Sequence, residues 1–400
     1  MLLASYSLVK IIRFGVFSIH PVVHSWARER LQRSEQFQII RNVIRILGRA
    51  SQTEKVLRES SKWDTHEERR IVSHLEYLHR SSEHSFSQIF LYDERTGNED
   101  LFFAFSNIAS VFDNQGKYHK AMQWYERALA GSEKILGKDH PSTLDIVHGL
   151  ALVFDNQAKY DKAMQLYERA LPGKEKTLGK DHSSTLDTVH NIAGVFDKQG
   201  KYDKAMQWYE RALPGYEKAL GKDHPSTLNT IHCIALIFEN RGKYEEAMQL
   251  YERVLAGKEK ALGKDHPSTL DTVHNIALIF ENQCKHDEAI QLYKRALVGC
   301  EKALGKDHPS TLDTVQNIAL IFENRGKYEE AMQLYERVLA GKEKALGKDH
   351  PSTLNTAKRL RILTEKTGAS NFTYVNGNNS ITWFIIELER RQLYQVDKWT

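Results

Sequence analysis

The chain has 400 residues, 41% of them hydrophobic and 27% charged, with a net charge of +4. That is enough apolar chain for a large core, and it lies far from the composition of a disordered protein. Residues 1–96 hold 15 Lys and Arg against 11 Asp and Glu, so they carry the whole excess; the balanced remainder offers no basic field to nucleic acid. The opening string MLLASYSLVKIIRFGVFSI is apolar, but Lys10 and Arg13 interrupt it and no basic residue precedes it, which argues against a secretory signal or membrane anchor. Alternation in Ser7–Ile11 and again in Gly15–Ile19 predicts two short strands about a turn at Gly15.

The string FSIHPVVHSWARERL follows, Phe17 to Leu31. It resembles the end of the winged-helix module of NB-ARC-type signalling ATPases, where a strand leads to a Met-His-Asp-like motif and a helix. His20 matches that motif's histidine and Pro21 replaces its acidic residue. The Ile-His-Pro version followed by Trp26-Ala27-Arg28 is similar to fungal NB-ARC proteins with tetratricopeptide tails. The resemblance implies a partial winged-helix segment over 1–31, with the chain starting inside that module.

Residues 32–96 form an expected helical linker, with apolar faces at Ile39, Ile40, Val43, Ile44, Ile46 and Leu47, and at Ile71, Val72, Leu75 and Leu78. From there a single period governs the chain. The string GKDH starts at Gly137, Gly179, Gly221, Gly263, Gly305 and Gly347, always 42 residues apart. A fixed period of this length predicts a solenoid in which each unit buries its apolar face only against its neighbours. Segments 228–269 and 312–353 differ at only four positions.

Each unit reads as two helices. In 186–227, Val189, Ile192, Ala193 and Phe196 have helical spacing; Gly200-Lys201 breaks the helix; Tyr202, Ala205, Met206, Tyr209, Ala212 and Leu213 set a second stripe. Gly221 is a plausible stop, and the proline of DHPST suits a helix start because its missing N–H is not needed there. Ser142 with Asp145, and Ser226 with Asn229, resemble capping arrangements, with either the Asp or the Ser as the cap.

This pattern resembles the tetratricopeptide repeat. The family's small first-helix residue matches Ala109, Ala151, Ala193, Ala235, Ala277 and Ala319. Its helix-breaking glycine matches Gly116, Gly200, Gly242 and Gly326, with Ala158 and Cys284 as exceptions. The period and the phrase LGKDHPST resemble the longer repeats of kinesin light chains. The expected fold is therefore all-α: a superhelical solenoid of helix-turn-helix repeats over 97–368, six full repeats and a degenerate capping helix, preceded by the winged-helix segment. The tail 369–400 has no assignment.

Residues fit for catalysis or metal binding do not stand out from the repeat. Gly173-Lys-Glu-Lys-Thr-Leu-Gly179-Lys180-Asp181 imitates a phosphate loop, but it has one residue too many and an acid where a hydroxyl is required. Equivalent histidines sit a whole repeat apart, too far to share a zinc ion. Cys233, Cys284 and Cys300 show neither disulfide nor metal spacing. No enzyme activity, cofactor or small-molecule substrate is expected.

In tetratricopeptide solenoids the first helices line the concave face, so the resemblance places ligand contacts on their outward positions. One row is Asn107, Asn191, Asn275 and Asn317, broken by Gly149 and Cys233; the next is His148, His190, His232 and His274. A third is acidic (Asp113, Asp155, Asp197, Glu239, Glu281, Glu323), with Asn114, Asn156, Asn240, Asn282 and Asn324 beside it and Lys198 as the exception. An amide both donates and accepts, so a row of them can hold an extended peptide backbone. The acids favour a ligand with Lys or Arg, and a histidine row would strengthen binding of acidic ligands below about pH 6.5. The sequence thus predicts a cytoplasmic scaffold for a protein or peptide ligand, with neither nucleic acid nor membrane as partner. By resemblance it is the sensor part of an NB-ARC-type protein, with a kinesin-light-chain-like cargo adaptor, or part of a nucleotide switch whose catalytic domain lies elsewhere, as alternatives.

Overall fold

The computed structural model describes residues 9–13, 16–19, 44–45 and 99–367. Strands β1 (Val9–Arg13) and β2 (Val16–Ile19) pair antiparallel, with Val9 opposite Ile19 and Ile11 opposite Phe17, as the alternation predicts. The rest of the winged-helix segment, most of the linker and the tail lie outside the described residues. Of the linker's apolar face, Ile44 is described and is buried in a core cluster with Phe102 and Phe105.

Thirteen helices follow. In the compact unit ending at Lys222 they are α1 (Glu99–Asn114), α2 (Tyr118–Ile135), α3 (Pro141–Asn156), α4 (Tyr160–Thr177), α5 (Ser183–Lys198) and α6 (Tyr202–Ala219). In the unit beginning at Asp223 they are α7 (Pro225–Asn240), α8 (Tyr244–Leu262), α9 (Pro267–Asn282), α10 (His286–Ala303), α11 (Pro309–Asn324), α12 (Tyr328–Leu346) and α13 (Pro351–Thr367). Odd-numbered helices open the repeats and even-numbered ones close them, giving the helix-turn-helix solenoid expected from the period. Among the described residues no helix is long and apolar enough to cross a membrane.

The recurring phrase GKDHPST is architectural throughout. Its glycine turns the chain at positive φ, as Gly221 does at 99°. Its aspartate takes a lysine from the following second helix, as in Lys218–Asp181 at 2.7 Å and Lys260–Asp223 at 2.6 Å. These pairs are exposed, so each adds little to stability. Its histidine is the N-cap: Nδ1 of His140, His182, His224, His266, His308 and His350 accepts the backbone N–H of the serine two residues on, at 3.2–3.3 Å. The cap is therefore neither the aspartate nor the serine that the sequence suggested. Imidazole reaches the orphan N–H from an extended backbone and leaves the serine hydroxyl to other partners; that of Ser184 donates to Asp145 at 2.7 Å.

Cores form where small and large residues meet. Ala193 and Ala205 are fully buried, as their size predicted, and Tyr209 is buried with them. In the second unit Ala235, Ala247 and Tyr251 repeat the pattern. Successive second helices are joined by arginine–glutamate pairs: Arg169 with Glu133 and Arg211 with Glu175 in the first unit, Arg337 with Glu301 at 2.7 Å in the second.

Candidate functional site

Each unit sets its first helices side by side, and the predicted binding rows lie along them. The histidine and inner asparagine rows are not independent surfaces. Asn191 Nδ2 lies 3.1 Å from His148 Nε2; Asn275 meets His232 at 3.2 Å and Asn317 meets His274 at 3.2 Å. On the far side of the ring, His148 Nδ1 lies 2.9 Å from Thr188 Oγ1, whose hydroxyl donates to the Ser184 carbonyl at 3.1 Å. A threonine that donates to a carbonyl accepts from the ring, so Nδ1 carries the proton and Nε2 accepts from the asparagine amide. These residues bond one repeat to the next.

The histidines are also packed edge-on against tyrosines, with ring centroids 5.4 Å apart for His148–Tyr167 and 5.1 Å for His190–Tyr209. Burial pushes His190 and His232 down to about 4, Lys258 adding to the effect on His232, and burial lowers His274 too. This departs from the expectation of a histidine row that charges just below pH 6.5, because burial holds His190 and His232 neutral down to about 4. Asn107 is half-buried on α1, Gly149 occupies the same row because the Tyr125 ring fills the space a side chain would need, and Gln316 stands where a fifth histidine would, accepting from Lys342 Nζ at 2.6 Å.

The acidic row lies at the C-terminal ends of the first helices, each acid twelve residues before a buried tyrosine. In the second unit Tyr251 donates to Glu239, Tyr293 to Glu281 and Tyr335 to Glu323, each at 2.8 Å. Burial raises the carboxyls of Asp113, Asp197, Glu239 and Glu281 above their usual range. Of the tyrosines at this offset, the sequence places only Tyr209, in a core stripe; the constant twelve-residue offset from an acid is the signal that would have found the others.

The outer asparagines differ from the inner ones. Asn156 donates to Asp113 Oδ2 at 3.0 Å, whereas Asn240, Asn282 and Asn324 are exposed and have no side-chain hydrogen bond among the described residues. Lys198, the exception in this row, bonds Asp155 Oδ2 at 2.8 Å. Among the described residues no group of three or more His, Cys, Asp or Glu side chains could hold a metal ion.

The family model described as tetratricopeptide repeat matches this chain in overlapping stretches, residues 100–176, 166–218, 184–260, 226–297 and 268–344. Among solved structures, the nearly identical TPR-like repeats of a Podosopora anserina kinesin-light-chain-type protein share 30% identity over 52% of this chain and 98% of that one, with a TM-score of 0.44. BtubC (BKLC) from P. vanneervenii shares 20% over 59% of this chain and 89% of its own, TM-score 0.46. The apo quorum sensor NprR from B. thuringiensis shares 14% over 86% and 91%, TM-score 0.49. No curated protein sequence matches the chain.

Proposed function

The chain belongs to the tetratricopeptide-repeat family, and from that premise we propose that its first-helix faces bind a protein through an extended peptide segment. The observation that carries this is the outer asparagine row: Asn240, Asn282 and Asn324 hold exposed, uncommitted amides one repeat apart on successive first helices of the second unit. Asn156 holds the same position in the first unit, with one amide N–H given to Asp113. An uncommitted amide can pair with both groups of a peptide unit, so a row of them grips a backbone with little regard to side chains. The inner row, Asn107, Asn191, Asn275 and Asn317 with His148, His190, His232 and His274, then serves as the floor that holds the first helices in register.

The test is affinity selection of a displayed random-peptide library on the full chain. Changing Asn240, Asn282 and Asn324 together to Ala is expected to weaken the selected peptides about tenfold or more. If that variant retains every peptide, the face is wrongly assigned.

On the same reading the chain is a non-catalytic scaffold of the cytoplasm that takes neither nucleic acid nor membrane. The string from Phe17 to Leu31 supports the finer version, the sensor part of an NB-ARC-type signalling protein. The identity with kinesin-light-chain-type repeats favours a second reading, a cargo adaptor. Genomic sequence upstream of Met1 separates them: a phosphate-binding loop in frame supports the first, heptads the second.

A further inference from the structure

In the first unit the acidic row is built differently from the second. Asp113 and Asp155 stand where Glu239, Glu281 and Glu323 stand, each one methylene shorter. The glutamates reach their tyrosine hydroxyls at 2.8 Å, but Tyr167, twelve residues after Asp155 and 0% exposed, has no hydrogen-bond partner at its hydroxyl. Asp155, 7% exposed, has no partner at Oδ1, and neither does Asp113 at its own Oδ1. Three buried oxygens on α1, α3 and α4, near enough for the charges of both acids to act on Tyr167, therefore lack a hydrogen-bond partner, a costly arrangement.

Their charges do not balance either. Asp113 Oδ2 accepts only the neutral amide of Asn156, and Asp155 Oδ2 accepts Lys198 Nζ, so two carboxylates share one cation. The two acids sense each other: after burial, the charge of Asp155 adds to what raises Asp113, while the Asn156 bond opposes it. The occupant such a position takes is indicated by the chain itself. Lys198 is the one lysine in a row of asparagines, and in the second unit Arg359 of α13 places Nη1 3.4 Å from Glu323 Oε2.

We propose that Asp113, Asp155 and Tyr167 form a binding site for the cationic head of a ligand's Arg or Lys side chain, with Lys198 as an internal occupant that the ligand displaces. This rests on the peptide-binding reading and specifies one side chain of the peptide. A guanidinium or ammonium group takes over the Lys198 charge at Asp155 Oδ2 and also supplies the donors that Asp113 Oδ1 and Asp155 Oδ1 lack, while the Tyr167 oxygen accepts a further N–H. Lys198 is 46% exposed, so it can swing into water and open the site.

The experiment uses the full chain with 13C-labelled tyrosine rings, titrated with N-acetylargininamide and with the neutral isostere N-acetylcitrullinamide; Tyr167→Phe assigns the Tyr167 signal. The Tyr167 signal is expected to shift saturably with the arginine compound alone. Asp155→Glu keeps the charge but lets the carboxylate reach Tyr167, as in the second unit; it and Asp155→Asn are each expected to weaken binding at least about tenfold. Lys198→Asn, which restores the repeat's own residue, is expected to tighten it several-fold, on the order of one removed competing charge pair. An equal response to citrulline, unchanged binding in Asp155→Glu, or no gain in Lys198→Asn overturns the proposal. A selected peptide set that binds without any need for Arg or Lys also overturns it, yet leaves the peptide-binding face standing. An arginine response at Tyr167 in a chain that retains no peptide supports the site and removes the face.

Discussion

Asn317 on α11 donates its amide both to the His274 ring of the preceding first helix, at 3.2 Å, and to the Tyr293 hydroxyl, at 3.3 Å. The Tyr293 hydroxyl donates in turn to Glu281, so one amide ties together a histidine, a tyrosine and an acid of the preceding repeat. Asn317→Ala is expected to leave the His274 Nε2 acceptor without its donor and to cost about 1–2 kcal/mol. Asn324→Ala, an exposed amide seven residues on, is expected to stay within about 0.5 kcal/mol of the parent. Urea midpoints of the two variants check this: equal midpoints would show that the inner row does not couple the repeats.

A second prediction concerns pH. Burial holds His190 and His232 at about 4, against the tyrosine rings of Tyr209 and Tyr216 for the first and of Tyr251, together with the Lys258 cation, for the second. A histidine whose folded pKa lies below its unfolded value near 6.5 leaves the unfolded chain binding more protons between the two. Its contribution is complete above about pH 6.5 and is lost progressively as the pH falls towards 4. The raised carboxyls of Asp113, Asp197, Glu239 and Glu281 act from the ordinary carboxylate range upward and with the opposite sign, because their unfolded counterparts ionise first as pH rises. Urea midpoints are therefore expected to fall from pH 7 to pH 5, and His190→Gln with His232→Gln to flatten that slope. An unchanged slope in the double variant would place the loss elsewhere.

The period, the helix pairs and the small buried alanines were legible because they depend only on apolar spacing and residue size, which sequence states directly. The direction of a polar side chain on a helix face was less so. Asn317 and Asn324 are the same residue seven positions apart, on nearly the same side of α11, yet one is tied to its neighbour and the other faces water; only the packing of the next helix decides. The contrast between Asp155 and Glu239 reads as conservative, because charge is kept. Its meaning lies in one methylene: Tyr167 lacks the carboxylate partner that Tyr251 finds in Glu239.

The cap offers a third prediction. His224 Nδ1 accepts the Ser226 N–H at 3.2 Å with its backbone extended, the role that serine or aspartate more often fills. His224→Ala is expected to destabilise α7 by about 1 kcal/mol, and His224→Asp, whose carboxylate can accept the same N–H, to restore most of it. Thermal midpoints in parallel check the pair. Should Asp fail to rescue while the fold is intact, the histidine acts by packing and not by accepting the hydrogen bond.

The last prediction turns on the bend between first and second helices. Gly116, Gly200, Gly242 and Gly326 take φ of 68–72° there, and Ala158 and Cys284 are held at 57° and 59° in the same place. The bend is fixed by backbone bonds that close each helix, such as Lys159 N–H to Phe154 O at 2.9 Å and Lys285 N–H to Phe280 O at 2.8 Å, so neither residue can relax without breaking them. A side chain in left-handed backbone costs about 1–2 kcal/mol, while glycine there gives back about 0.5–1 through its greater freedom when unfolded. Ala158→Gly and Cys284→Gly are each expected to raise stability by roughly 0.5–1 kcal/mol, and Gly242→Ala to lower it by a similar amount. Both side chains are exposed, so no packing is lost in the exchange. Denaturant midpoints of the three variants decide the matter: a fall in either glycine substitution would mean that the left-handed residue is held without strain.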